Sequence, residues 1–380
     1  MFQLFYTILL STLLATSSPF LILSAILRKK HRKSIPARFF FWRNLRVDLE
    51  NKIWFHGASL GEVNALKPFI KEISKKHKIL LTTTTDTGFN SGKNSFETRF
   101  LPFEPLLYFW RGNPKTLVVV EAELWFLLFA IFKKRGAKTV LLSGRISENS
   151  FPKYYKFRSL YKRVLSKIDF IYAQTEADKN RFQKLGAKNV DVLGNIKLLK
   201  SESSRNLEIP KDRRILVGAS THSRDEELIL SSYNKRDRLF IVPRHRERFE
   251  NVWKMIQVFA EKENLSCSRF SENSDFESDI ILIDEVGFLV DIYKKSDIVV
   301  LGGAFRDGIG GHNPVEPASF QNIIISGKFA FNQKRLFKDI SNIYISEKGN
   351  LGEFLNSDSL KIAKIEQKIE FKKILNLVRI

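Results

Sequence analysis

Residues 297–301, Asp-Ile-Val-Val-Leu, run directly into Gly302-Gly303, and a second glycine pair, Gly310-Gly311, leads to His312-Asn313-Pro314-Val315-Glu316-Pro317. A short apolar run closed by glycines reads as a buried parallel strand ending in a loop. Asn313 ends that loop. Pro314 falls where a helix would begin, the position proline tolerates best. Free N–H groups at such a terminus suit a phosphate, and Glu316 in the first turn suits a ribose diol. The same residues would also serve as a plain Gly-rich turn with Asn313 as a structural cap.

The unit of strand, loop and helix recurs along the chain. Apolar runs at Ile53–Phe55, Ile79–Thr84, Thr116–Val120, Thr139–Ser143, Phe170–Ala173 and Val190–Leu193 alternate with helical patterns. One of these carries Leu66, Phe69, Ile70 and Ile73, with Pro68 predicting a late start or a kink. A second series follows at Ile215–Val217, Leu239–Val242, Ile280–Ile283, Ile298–Leu301 and Ile323–Ile325. Alternation of this kind specifies α/β domains with mostly parallel, doubly wound sheets. Between the series, residues 199–212 are polar, with Ser201, Ser203, Ser204 and Pro210, and read as a linker. The expected organisation is an anchor and basic flank over 1–33, a first domain over 34–198, the linker, a second domain over 213–361 and a C-terminal helix over 362–380. Ligands in open α/β sheets bind at the C-terminal strand ends, so the chemistry is expected in a cleft where those ends meet.

Phe2 to Leu27 contains no charged residue and is long enough to cross a bilayer. It lacks a preceding basic region and a small-residue cleavage site, which argues against a removed signal peptide. Arg28-Lys29-Lys30-His31-Arg32-Lys33 follows it, and the positive-inside rule then puts the remainder in the cytoplasm. Pro19 and scattered Ser and Thr leave open a helix lying in the interface. The aromatic and basic run Phe39–Arg43 suits the headgroup zone. Net charge is +22, from 63 Lys and Arg against 41 Asp and Glu. With a membrane tether, that excess points to anionic lipid rather than nucleic acid. The single cysteine, Cys267, excludes an internal disulfide and a cysteine-cluster metal site.

Several strand ends carry chemistry. Glu62, in His-Gly-Ala-Ser-Leu-Gly-Glu after the first strand, is placed to act as a general base just before a helix, or simply to favour that helix N-terminus. Glu121 and Glu123 end the strand 116–120, where carboxylates after four apolar residues are unusual unless paired or used. Arg145 and Lys197 sit after later strands. In the second series Ser220 and Thr221 follow a strand and suit a phosphate. Pro243-Arg244-His245 ends another, with Arg244 offering a bidentate contact to phosphate or carboxylate. Gly287, between Val286 and Phe288, opens a further helix. No P-loop, nucleophile elbow or HExxH motif is present, which disfavours those three chemistries.

In order along the chain come HGASLGEV (56–63), TTTTDTGF (82–89), EAELW (121–125), GRIS (144–147), AQTEAD (173–178), LGNIK (193–197), GASTH (218–222), PRHRERF (243–249) and GGHNPVEPA (310–318). Together they resemble the Kdo transferase family of lipopolysaccharide inner-core synthesis. The resemblance implies a GT-B fold of two Rossmann-like domains. It implies inverting, metal-independent transfer of 3-deoxy-D-manno-octulosonic acid (Kdo) from CMP-Kdo to a lipid A precursor, with no cofactor, at the cytoplasmic face of the inner membrane. It makes Glu62 the base, and Glu121 and Lys197 transition-state stabilisers. It gives CMP contacts to Pro243 and Arg244, to Val286, Gly287 and Phe288, and to Asn313, Pro314, Val315 and Glu316, beside the glycines Gly310 and Gly311. The chain departs from the family pattern twice. Phe288 stands where Glu is common, which weakens a side-chain contact there, and Asp86 replaces a typical proline. The competing expectations are another GT-B transferase using a UDP- or GDP-sugar, an epimerase on the same fold, and a membrane-tethered binding protein.

Overall fold

The computed structural model describes all residues except 28–31, 41–43, 45–46, 200–204, 274–275, 348–349, 368, 370–374 and 377–380. Most of the basic flank, the last three residues of the Phe39–Arg43 run and residues 200–204 of the expected linker lie outside the described residues. The chain forms two compact units, Met1–Lys197 with Ile369–Ile380, and Leu198–Lys368.

The first unit begins with helices α1 (Phe2–Leu27) and α2 (Ser34–Arg38). Strands β1 (Ile53–His56), β2 (Ile79–Thr83), β3 (Thr98–Phe100), β4 (Thr116–Val120), β5 (Lys138–Gly144), β6 (Phe170–Ala173) and β7 (Val190–Val192) then form one parallel sheet in the order 3-2-1-4-5-6-7. Helices α3 (Leu60–Ser74), α4 (Asp86–Gly92), α5 (Phe126–Lys134), α6 (Phe151–Lys156), α7 (Arg158–Leu165) and α8 (Glu176–Lys184) lie between strands. β1, β2 and β4 are buried along their whole length, which is why they read as unbroken apolar runs rather than alternating ones. α5 packs with Trp54 and Trp110 into the core, Trp54 meeting Phe132 edge-on at 4.8 Å. The two buried indoles keep their N–H groups satisfied, Trp54 on Thr82 Oγ1 at 2.8 Å and Trp110 on the Asn44 carbonyl at 3.0 Å.

The second unit repeats the plan. β8 (Ile215–Thr221), β9 (Arg238–Pro243), β10 (Cys267–Arg269), β11 (Ile280–Leu282), β12 (Ile298–Leu301), β13 (Ile323–Gly327), β14 (Ile340–Ser341), β15 (Ile343–Ser346) and β16 (Lys364–Ile365) are its strands. Seven form a parallel sheet in the order 10-11-9-8-12-13-15. Helices α9 (Asp225–Ser231), α10 (Phe249–Glu263), α11 (Leu289–Tyr293) and α12 (Val315–Ser319) connect them. These are the two Rossmann-like domains that a GT-B chain requires. The strand order reverses at the centre of each sheet, between β1 and β4 and between β8 and β12, and ligands bind at such points.

Four local expectations change. α3 starts at Leu60, not late: Ser59 caps it, and Pro68 sits inside a continuous helix. Glu62 is therefore its third residue rather than a residue before it. Pro314 is the N-cap of α12, which begins at Val315, so the helix starts one residue later than proline placement predicts. The C-terminal helix expected from residue 362 is not formed at its start. Ile340 and Ser341 pair antiparallel with Ile365 and Lys364, and Ala363 donates to the Asn322 carbonyl at 3.0 Å, so this backbone is held extended. Leu375 and Asn376 are helical, and most of the remaining tail lies outside the described residues. In the expected linker, Ile209 is buried and Arg238 binds the Pro210 carbonyl and Asp212, which ties 209–212 to the second unit.

Candidate active site residues

The loops after β1 and β4 flank the strand reversal of the first unit. Ser59 accepts from the Glu62 amide at 3.4 Å. The Glu62 carboxylate turns back on the same loop, accepting from the Ala58 amide at 2.8 Å and the Ser59 hydroxyl at 2.7 Å. Ser59 is thus the N-cap of α3, worth about 1 kcal/mol to the helix. The loop is fixed from its other side by the Thr-rich segment, where Thr83, Thr84 and Thr85 hydroxyls all donate to the Ala58 carbonyl at 2.9–3.2 Å. The cap leaves the Glu62 carboxylate 8 % exposed at the C-terminal end of β1, the end at which open α/β sheets bind ligands. Burial, then the charge of Glu121, pushes its pKa above the usual carboxylate range, while Ser59 and Lys197 pull the other way.

Glu121 ends β4 with φ +61, a left-handed conformation costing about 1–3 kcal/mol in a residue other than glycine. Its amide donates to the Leu142 carbonyl at 3.0 Å, and its Oε1 lies 2.5 Å from Lys197 Nζ. Lys197 is set by the loop 194–196, which is pinned where the Ile196 amide donates to Ser143 Oγ at 3.3 Å. The structure therefore brings Glu62, Glu121 and Lys197 together. Lys197 also runs over Gly61, where a Cβ would meet its Cε at 3.7 Å.

Two charged members of this cluster carry no role in the sequence reading. Glu123 is also pushed up, first by burial and then by Glu62. Arg38 donates to the Leu101 carbonyl at 3.0 Å, and its guanidinium lies over Phe103 and Trp125, 4.1 and 5.4 Å from the ring centroids. Burial brings it down to about 10. Next to them His56 is fully buried with Nδ1 on Thr82 Oγ1 at 2.9 Å. Burial and Arg38 lower it to about 3, so it stays neutral. Phe39 and Phe40 differ from expectation: they pack on Phe103 and Phe109 within the unit. Arg145 follows β5, and its buried Nε has no hydrogen-bond partner among the described residues. Asp86 accepts from the Lys33 amide at 3.4 Å, a contact a proline side chain cannot make.

In the second unit the loops after β8 and β12 flank the other reversal. Ser220 sits at a bulge with φ +52, and Thr221 is fully buried with its hydroxyl unpartnered among the described residues. Asp225 Oδ2 gathers the loops, accepting from the His222 amide at 2.9 Å and the Gly303 amide at 2.8 Å. His222 and His312 meet Nε2 to Nε2 at 2.8 Å with rings 10° from parallel. One ring must donate and the other accept, so the accepting ring is neutral and the two cannot both be protonated. Burial, with His222 and Arg244 beside it, lowers His312 to about 4. Asn313 Oδ1 accepts from the Val315 amide at 3.0 Å, so one amide at the start of α12 is already used. Burial raises the Glu316 pKa, against Asn313 and Arg244. Pro243 is buried at the end of β9, Arg244 is exposed, and Arg244 acts electrostatically on His222, His312 and Glu316. Val286 is exposed, Gly287 has φ +103, and Phe288 packs on Phe270 and under Arg205.

Glycine is required at two points in this loop. A Cβ on Gly302 would lie 2.7 Å from the Ser220 carbonyl and 2.8 Å from Asp225 Oδ2, and one on Gly310, at φ +95, 2.1 Å from Asn332 Nδ2. Gly302→Ala is expected to destabilise the second unit by about 1–3 kcal/mol, read as a lower melting temperature by calorimetry. An unchanged melting temperature contradicts the packing described.

The family model described as 3-Deoxy-D-manno-octulosonic-acid transferase (kdotransferase) matches residues 19–200. The chain is 31 % identical over 393 residues to the 3-deoxy-D-manno-octulosonic acid transferase of Haemophilus influenzae, covering 96 % of this chain and 90 % of that one. The chain belongs to the Kdo transferase family. It is also 33 % identical over 322 residues to the bifunctional glycosyltransferase/methyltransferase of Fusobacterium nucleatum, covering 77 % of this chain and about half, 49 %, of that longer protein. The crystal structure of the C-terminal CMP-Kdo binding domain of WaaA from Acinetobacter baumannii is 25 % identical, with a TM-score of 0.34, covering 38 % of this chain and 78 % of that one. Within this Kdo transferase chain, Arg38, Ser59, Glu123, Asp225 and the His222–His312 pair are the features left without roles by the sequence. The Ser-x-x-Glu spacing of Ser59 and Glu62 was a readable cap signal, whereas the His222–His312 pairing spans 90 residues and leaves no spacing to read.

Proposed function

We propose that the protein is an inverting, metal-independent transferase that moves Kdo from CMP-Kdo to the lipid A precursor lipid IVA, in inner-core synthesis at the cytoplasmic face of the inner membrane. The observation that carries the reading is the buried Glu62 beside the Glu121–Lys197 pair at the strand reversal of the first unit. Glu62 takes the proton from the acceptor hydroxyl. That oxygen forms a bond to the anomeric carbon of Kdo, and the bond from that carbon to the phosphate oxygen breaks, its electron pair leaving with CMP. A carboxylate with a raised pKa accepts such a proton more readily than an ordinary one. Lys197, held by Glu121, supplies positive charge as negative charge develops. On the second unit Arg244, Ser220, Thr221 and the 310–316 loop bind CMP, with Glu316 for the ribose and Arg244 for the phosphate. The carboxylate of Kdo adds a second anion for these groups. Family membership and the membrane-length helix α1 support lipid A as the acceptor.

A donor panel tests the reading. Purified protein with a lipid A precursor is expected to release CMP from CMP-Kdo and nothing from UDP- or GDP-sugars. Turnover of a UDP-sugar with none of CMP-Kdo replaces the proposal with a different transferase.

A further inference from the structure

Helix α1 is 26 residues long, about 39 Å at the rise of an α-helix, and apolar enough to cross a bilayer. Its N-terminal turns are docked on the first unit. The Phe2 and Tyr6 rings each meet Phe126 edge-on at 5.1 Å, and the Tyr6 hydroxyl donates to Glu104 at 3.3 Å. Gln3 donates to the Tyr108 hydroxyl at 2.9 Å, and the Arg163 guanidinium lies 4.5 Å over the Phe2 ring. The other end returns to the same unit. Ala25 is buried, the Lys33 amide six residues past Leu27 donates to Asp86, and Arg38 is fixed on the Leu101 carbonyl.

A helix that crosses a membrane puts its ends on opposite sides of roughly 30 Å of hydrocarbon. One α/β unit on one side cannot hold both. Yet only 6 % of the apolar window is buried, and Leu9, Leu13, Phe20 and Leu23 are among its exposed side chains, an apolar surface that needs a partner. The partner's chemistry is written around the docked end. Tyr155 and Phe157 are exposed in and beside α6, which also carries Lys153 and Lys156, and α7 begins with Arg158. Aromatic rings with interspersed cations fit the headgroup level of an anionic leaflet.

We propose that α1 is monotopic: it lies within one leaflet of an anionic bilayer, with its N-terminus on the same side as both α/β units. The proposal deepens the functional reading and rests on α1 being a membrane anchor. Full-length protein carrying an N-terminal, protease-cleavable affinity tag is expressed in a Gram-negative host, and protease is added to intact right-side-out spheroplasts. The tag is expected to survive there and to be removed once the spheroplasts are lysed. Removal in intact spheroplasts overturns the proposal. Sedimentation of lysed membranes separates the two levels: a chain left in the supernatant sinks the anchor reading itself, whereas a membrane-bound chain whose tag is cut from outside sinks only the monotopic topology.

Discussion

Glu62→Gln lowers kcat by about 100- to 10,000-fold while the KM for CMP-Kdo stays near the wild-type value. A base acts on the acceptor hydroxyl, whereas the proposed donor contacts lie on the other unit. The substitution is nearly isosteric, and a glutamine oxygen still accepts from the Ala58 amide. Activity, not stability, separates this outcome from a capping role. Because the folded-state pKa of Glu62 is raised, its contribution to stability is present below the unfolded pKa and is lost as pH rises through the folded one. At neutral pH the charged side chain is a liability, so Glu62→Gln melts at the same or a higher temperature than wild type. A residue that serves only as a cap, which glutamine preserves, gives full transfer activity. Steady-state kinetics, on a preparation whose thermal unfolding is also measured, decide between them.

Lys197→Met and Glu121→Gln each lower kcat by about 100- to 1,000-fold, the range for removing one preorganised group opposite developing charge. They part company in pH dependence. The proposed base role needs Glu62 ionised, so the acid limb of the kcat/KM profile is expected to follow its pKa and to lie above the ordinary glutamate range. Glu121 is the second cause that raises this pKa and Lys197 opposes it. Glu121→Gln therefore shifts the acid limb to lower pH, and Lys197→Met shifts it to higher pH. The double variant loses less than the sum of the two singles, because the ion pair at 2.5 Å acts as one unit. Acid limbs that move in the same direction in both single variants contradict the placement of these charges around Glu62.

The alternation of buried apolar runs made both sheets legible in advance, since parallel strands covered on both faces need no alternating pattern. β3, β10 and β15 were not read: all three are edge strands of three or four residues, and Thr98-Arg99-Phe100 and Cys267-Ser268-Arg269 carry polar side chains. The C-terminal segment shows the opposite failure. Its spacing fits a helix, but Lys364 and Ile365 are captured by β14, a pairing that depends on a strand some 25 residues earlier. In the site, Glu121 was visible because it follows a strand directly, and Glu62 and Lys197 because each lies within six residues of a strand's C-terminal end. Arg38 was not, because its short helix sits among aromatics that read as a headgroup belt, and only the fold carries it to Trp125.

The most direct test incubates purified protein with CMP-Kdo and a tetraacylated lipid A precursor and measures the mass of the lipid product. Growth of the lipid by one or more whole Kdo residues, with an equal number of CMP molecules released, is the predicted result. An unchanged lipid mass, with CMP-Kdo either intact or merely hydrolysed, would contradict the account.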